Sequence, residues 1–139
     1  MEDLIIREAK DQDKPYLVAF NYNNCYETEH RELDKEILAK GADQAEKKGL
    51  HYFIAELNGK PVGCIGYVVY PDILKECLYY MVESVYVDKE HRRKGIFTRM
   101  FEKVKEKAKE DPLANSLELY VEMENTAAQK TYEKMGMSI

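Results

Sequence analysis

Between residues 79 and 100 the sequence reads as a strand that runs through a short basic loop directly into a helix. Tyr79 to Val87 is an alternating run of β-branched and aromatic residues, which suits a pleated, half-buried surface. Arg92, Arg93 and Lys94 follow, then Gly95, and from Gly95 to Lys109 the residues Ile96, Met100, Phe101, Val104 and Ala108 keep helical period. This order suits an anion. The first turn of a helix has free N–H groups and the positive end of the helix dipole. A glycine lets the backbone approach an oxygen closely, and the three basic side chains can add charge-assisted hydrogen bonds. The turn reads as a grip for pyrophosphate. A basic cluster alone is more often a solvated loop; its place at a strand-to-helix junction is what makes it a candidate. It has neither the paired glycines and Lys-Ser/Thr of a Walker loop nor the three glycines of a dinucleotide fingerprint.

The other elements follow in order. Leu4 to Ala9 reads as a first strand, and Asp11 offers an N-cap for a helix through Tyr16, Leu17, Phe20 and Asn24. A second helix is expected from Asp34 to Lys48, with Ile37, Leu38, Ala42 and Ala45 at helical spacing and Gly49 just past its end. His51 to Leu57 and Pro61 to Tyr70 form a hairpin about Asn58-Gly59. Gly63 and Gly66 inside the returning strand mark a bulge or a close approach of another backbone. Cys77 to Val87 is a long fourth strand. Asp111-Pro112 stops the helix after it, and Leu117, Leu119 and Val121 alternate with Glu118, Tyr120 and Glu122 as a fifth strand. Asn125 caps a last helix, Thr126 to Met135, closed by Gly136. A helix between the fourth and fifth strands predicts that these two run parallel.

At 139 residues, 45% hydrophobic and 34% charged, the chain fits one globular domain spanning 1–139. No apolar run is long enough for a membrane helix, and the N-terminus has no signal-peptide pattern, so the cytoplasm is the expected location. Cys25, Cys64 and Cys77 have no metal or redox spacing, and His30, His51 and His91 are isolated, so no metal is expected. A net charge of −5 argues against nucleic acid as a partner.

The element order, the strand end Val85-Tyr86-Val87, the run Arg92-Arg93-Lys94-Gly95-Ile96-Phe97 and the segment Asn125 to Gly136 resemble the GCN5-related N-acetyltransferases over almost the whole chain. The resemblance implies an α+β, three-layer acyl-CoA N-acyltransferase fold. Its mostly antiparallel central sheet splays between the fourth and fifth strands, with helices on both faces and acetyl-coenzyme A in the split. The family's loop is Arg or Gln, two residues, Gly, one residue, then Gly or Ala. Arg92 and Gly95 match it, and Phe97 departs from it at the last position. Amides from Arg93 to Thr98 would then hold pyrophosphate. Val85, Tyr86 and Val87 would hold pantetheine, with the Val85 amide on the thioester oxygen. Asn125 and Tyr132 match the family's pair on the helix after the fifth strand. The family continues with two further strands that Met137-Ser138-Ile139 does not supply; either this is a shortened member, or a partner chain covers the exposed strand edge, as a homodimer would.

Acetyl transfer needs a neutral amine, although a lysine-type amine has a pKa of about 10.4, together with an oxyanion donor and a proton for the leaving thiolate. Tyr132 is the candidate acid. Glu83 is the candidate base, because alternation puts it on the face of Val85 and Val87; His91, Glu118 and Glu122 are lesser substitutes. The plainer readings are a core tyrosine and a solvated strand carboxylate. The acceptor is a small-molecule or peptide amine. Tyr22, Tyr26, Tyr67, Tyr70, Tyr79 and Tyr80, with acidic neighbours, suit a cationic one, or are simply core and rim residues. A non-catalytic acyl-coenzyme A-binding module is the alternative, since it would keep the phosphate turn without depending on Tyr132.

Overall fold

A computed structural model describes residues 3–120 and 126–138. In chain order it contains β1 (Leu4–Glu8), a 3-10 turn (Asp11–Asp13), α1 (Lys14–Glu29), α2 (Lys35–Ala45) and a second 3-10 turn (Glu46–Lys48). Then come β2 (Leu50–Leu57), β3 (Lys60–Asp72), β4 (Cys77–Val87), a 3-10 turn (Lys89–His91), α3 (Ile96–Glu110), β5 (Ala114–Leu119) and α4 (Thr126–Lys134). The strands form one sheet in the order β1-β2-β3-β4-β5, with β4 and β5 parallel and the other pairs antiparallel. This is the expected α+β mixed sheet.

Local chemistry explains most boundaries. Asn58 and Gly59 have φ of 51° and 84°, the paired left-handed turn that matches strand twist in a tight hairpin. The Asp34 carboxylate accepts from the Glu36 and Ile37 amides at 2.8 and 3.3 Å and so starts α2. Gly49, at φ 87°, ends the turn that follows it. The first helix differs from expectation. Asp11 caps nothing: its side chain is solvent-exposed, and the chain makes a 3-10 turn before α1 begins at Lys14. Asp13 instead turns inward, where its two oxygens accept from Arg7 at 2.7 and 2.9 Å and one also accepts from the Lys10 amide at 2.7 Å. A tertiary partner on β1 displaced the local cap. The fifth strand also begins earlier than expected, at Ala114, and the Val121 and Glu122 assigned to it lie outside the described residues.

Two apolar layers sandwich the sheet. On one face Ile96, Met100, Phe101 and Val104 of α3 pack on Phe53, Ala55, Val62, Ile65, Tyr67, Tyr80 and Val82. On the other, Leu17 and Phe20 of α1 pack on Ile54, Cys64 and Tyr86. The glycines in β3 do mark close approaches. A Cβ on Gly63 would lie 2.6 Å from the Tyr86 carbonyl oxygen, and one on Gly66 would lie 2.7 Å from the Tyr52 ring.

The feature that positions the site is an extra residue in β4. Gly66 pairs with Ser84 and Tyr67 with Val82, so Glu83 stands opposite no residue of β3. Pairing with β5 stops at the same place, the last partners being Val82 and Leu119. Beyond it, Glu83–Val87 has no strand partner on its β5 side among the described residues. No described helix is long and apolar enough to cross a membrane.

The Arg7–Asp13 pair generates a test. Hydrogen bonds from Arg7 foremost hold the Asp13 carboxyl below its ordinary pKa, against the opposing effect of burial. A depressed folded pKa contributes stability that is present above the unfolded value of about 3.9 and lost as pH falls through the folded value. Asp13→Asn should therefore cost about 3 kcal/mol in urea denaturation at pH 7. That difference should shrink as the pH falls below about 4; equal stabilities at pH 7 would contradict this assignment.

Candidate active site

The end of β4 is built to accept a partner other than a strand of this sheet. The Asp88 amide donates to the Val62 carbonyl at 2.8 Å. In an antiparallel ladder hydrogen-bonded pairs alternate, so Cys64–Tyr86 and Gly66–Ser84 are bonded pairs as well. The N–H and C=O groups of Val85 and Val87 then point away from β3, into the gap left by β5. The Val85 amide is therefore directed away from β3.

A cleft of about 540 Å³ opens there. Val85, Tyr86 and Val87 form one wall and Arg92, Arg93, Gly95, Ile96, Phe97 and Thr98 another; His91 and Thr131 also line it. The loop brings these together through two left-handed positions, Arg93 at φ 65° and Gly95 at φ 77°. Successive amides around such positions form concave anion nests. Gly95 stands at the N-cap without a capping side chain, and the first backbone bond of α3 runs from the Arg99 amide to the Gly95 carbonyl at 3.1 Å. The amides of Ile96, Phe97 and Thr98 have no carbonyl four residues back within the helix. These groups, with the dipole of the fifteen-residue α3, fit a pyrophosphate.

Arg92 differs from its expected part. Its side chain is occupied within the protein: Nη2 donates to Glu27 Oε1 at 2.7 Å and Nε to the Val87 carbonyl at 2.9 Å. The Tyr86 hydroxyl donates to the other Glu27 oxygen at 2.7 Å, and the guanidinium lies 5.4 Å from the Tyr86 ring centre. Burial opposes the charge on Glu27, but the bonds from Tyr86 and Arg92 outweigh it and hold the carboxyl below its ordinary pKa. Burial first, and then Glu27, push Tyr86 up to about 12, so its hydroxyl stays a donor. Arg92 thus anchors the loop to α1 and β4. Nearby, Ser84 Oγ donates to Asn21 Oδ1 at 3.1 Å, and Asn21 donates to the Leu17 carbonyl at 2.8 Å. Lys94 Nζ lies 3.4 Å from His91 Nδ1, and Lys94 is not among the residues lining the cleft.

Sequence reasoning missed the α1 wall. Asn24, Glu27 and Thr28 line the cleft, and their spacing places them on one helix face. Only that spacing could have pointed to them.

Tyr132 sits on α4 with its ring edge against Phe97, centres 5.7 Å apart, and Phe97 in turn meets Phe101 at 6.0 Å. The larger side chain at the family's small-residue position therefore packs into the core layer and supports Tyr132. Tyr132 itself does not line the cleft; its neighbours Phe97 and Thr131 do. Burial raises its pKa, and its hydroxyl has no hydrogen-bond partner among the described residues. Asn125 lies outside the described residues.

Glu83 does not share a face with Val85 and Val87. Tyr80 and Val82 before the bulge, and Val85 and Val87 after it, all pack towards α3. Glu83 is exposed on the opposite face, where it accepts from the Tyr70 hydroxyl at 3.1 Å. The extra residue reset the alternation on which the expectation rested. A second cavity, of about 360 Å³, is lined by His51, Tyr52, Tyr67, Tyr80 and Lys107 among others; of the tyrosines expected at an acceptor pocket it takes Tyr67 and Tyr80, and it takes none of the expected catalytic or cofactor-side residues. Among the described residues no cluster of His, Cys, Asp or Glu could hold a metal ion.

Comparison with known proteins agrees with this geometry. The GNAT acetyltransferase family matches residues 8–137. A crystal structure of a possible acetyltransferase from Clostridium difficile 630 is 36% identical, with a TM-score of 0.90 over 98% of this chain and 91% of that one. The aminoglycoside N-acetyltransferase AAC(6')-Iy in complex with CoA is 15% identical, with a TM-score of 0.83 over 100% of this chain and 90% of that one. A ribosomal-protein-alanine N-acetyltransferase from Brucella melitensis biovar Abortus 2308 is 18% identical, with a TM-score of 0.77 over 100% and 93%. A search of curated proteins returns no match. The chain belongs to the GNAT family and is an acetyl-coenzyme A-dependent N-acetyltransferase.

Proposed function

We propose that this protein transfers the acetyl group to the primary amine of a small molecule or peptide in a ternary complex, at the fork between β4 and β5. The observation that carries this reading is the Val85 backbone, without a strand partner on its β5 side among the described residues, beside the open N-terminus of α3. The amides of Arg93 to Thr98 hold the pyrophosphate. Val85 and Val87 offer backbone groups to the pantetheine, and Asn125 completes the set. The Val85 N–H stabilises the oxyanion as the amine nitrogen attacks the thioester carbon. The C–S bond then breaks, and the sulfur leaves with the Tyr132 proton. Burial keeps that proton on Tyr132 at neutral pH. The amine's proton passes through water to Glu83, whose carboxylate opens on the outer face. Proximity supplies much of the rate, and no covalent enzyme intermediate is needed.

Other features support the wider setting. The three free cysteines suit the cytoplasm, and the net charge of −5 suits an amine more than a nucleic acid. Among the described residues β5 pairs only with β4, which supports a second copy covering that edge. Light scattering should give twice the chain mass, and a monomer at working concentration would contradict the dimer. Tyr132→Phe should lower kcat about 100-fold while leaving coenzyme A affinity within about twofold. An unchanged kcat would remove Tyr132 from the mechanism.

A further inference from the structure

The sheet face opposite α3 carries a group of side chains that the cofactor cleft does not use. Tyr67 and Val69 of β3, Tyr80 and Val82 of β4, and Leu117 and Leu119 of β5 all pack towards α3. Alternation therefore sends Tyr70, Tyr79, Glu118 and Tyr120 to the other side, where Glu83 also lies. Tyr70 and Tyr79 are cross-strand partners with ring centres 5.4 Å apart. Tyr70 donates to Glu83, which pushes the Tyr70 pKa up and keeps its hydroxyl a donor; Tyr120 is close enough to add to that shift.

The placement is specific. Among the described residues Val82 and Leu119 are the last pair between β4 and β5, so Glu83 and Tyr120 are the first residue of each prong of the fork. Tyr120 is 87% exposed and Tyr70 38%, so both rings are open to a ligand. Glu118 accepts only from Ser116, at 2.9 Å, and neither Glu83 nor Glu118 forms an ion pair among the described residues. Three rings and two carboxylates without a counter-charge are complementary to a cation.

We propose that Tyr70, Tyr79, Tyr120, Glu83 and Glu118 form the acceptor platform, and that it selects an amine bearing a second positive charge, a short aliphatic diamine or polyamine. The inference rests on the fork being the site of acetyl transfer. One ammonium group lies on the rings and carboxylates. The other nitrogen, in its neutral form, reaches the thioester beside Val85, two residues along the strand from Glu83. That is roughly 7 Å of strand, a separation a short diamine bridges. Glu118 and the rings keep the second ammonium in place, while the attacking nitrogen gives its proton through water to Glu83 before it forms the amide bond.

The test has two arms. In the first, putrescine and butylamine are titrated by calorimetry into the full chain saturated with coenzyme A. Putrescine should bind about tenfold tighter, and Tyr70→Leu or Glu118→Gln should each weaken it at least about fivefold. Both substitutions are at exposed positions, and circular dichroism checks the fold. Equal binding of the two amines, or putrescine binding untouched in both variants, would overturn the platform. In the second arm, thiol release from acetyl-coenzyme A should show kcat/KM about tenfold higher for putrescine. Glu118→Gln should raise KM for putrescine more than it changes kcat. Turnover of both amines with no preference would overturn the platform and leave acetyl transfer at the fork standing. Tight putrescine binding without turnover would support the platform and count against the fork as the place of transfer.

Discussion

The site depends on the parting of β4 from β5 after Val82. Buried backbone groups must find partners, and a bulge that coincides with the last described parallel pair leaves Val85 and Val87 facing away from β3 with no strand partner there among the described residues. The protein satisfies part of this demand itself, since the Val87 carbonyl takes Arg92 Nε at 2.9 Å. The remainder is available to an extended ligand that behaves as another strand. The fork is held open from the side by α1. Asn21 fixes Ser84 just past the bulge, and Glu27 ties Tyr86 and Arg92 together at the strand's far end.

This arrangement changes how the basic loop works. A cluster of three cations suggests a grip made of side-chain charge, but Arg92 is engaged by Glu27, a residue 65 positions away. What the loop offers an anion is chiefly backbone: a turn with left-handed Arg93 and Gly95 leading into an uncapped helix start. A left-handed conformation is unfavourable for arginine by roughly 1–2 kcal/mol. Such conformations persist where the surroundings over-determine them, often at ligand clamps. Here the Glu27–Arg92–Val87 contacts immediately before residue 93 supply that constraint. Tyr132 depends on packing in a similar way, its ring set by Phe97 where the family's loop ordinarily has a small residue.

What the sequence made legible follows from how local each cause is. Asn58-Gly59, Gly95 and the β-rich run Cys77 to Val87 act through their own backbone preferences, and they stand where periodicity put them. The residues of β4 and the loop expected to share one cleft were local in the same way, and the cleft gathers most of them. The misses are all tertiary. Asp13 rather than Asp11 is the structural aspartate because Arg7 of β1 lies within reach of it. Glu83 changed face because one unpaired residue inverts a period of two, and no composition marks that position. Glu27 reads as one more polar residue on α1 until the loop folds against it.

The loop from Arg92 to Thr98 is proposed to bind pyrophosphate through backbone groups that require Gly95 to be left-handed. Calorimetric titration of acetyl-coenzyme A into the wild-type chain and into Gly95→Glu tests it directly. No atom outside its chain neighbours lies within 4 Å of where a Cβ at Gly95 would stand, so the substitution meets no clash at its first carbon. It strains φ 77° and places a negative charge at the helix start. The account predicts saturable binding by the wild type and its loss in a variant that remains folded. A folded wild type that fails to bind, or a variant that binds equally well, would contradict it.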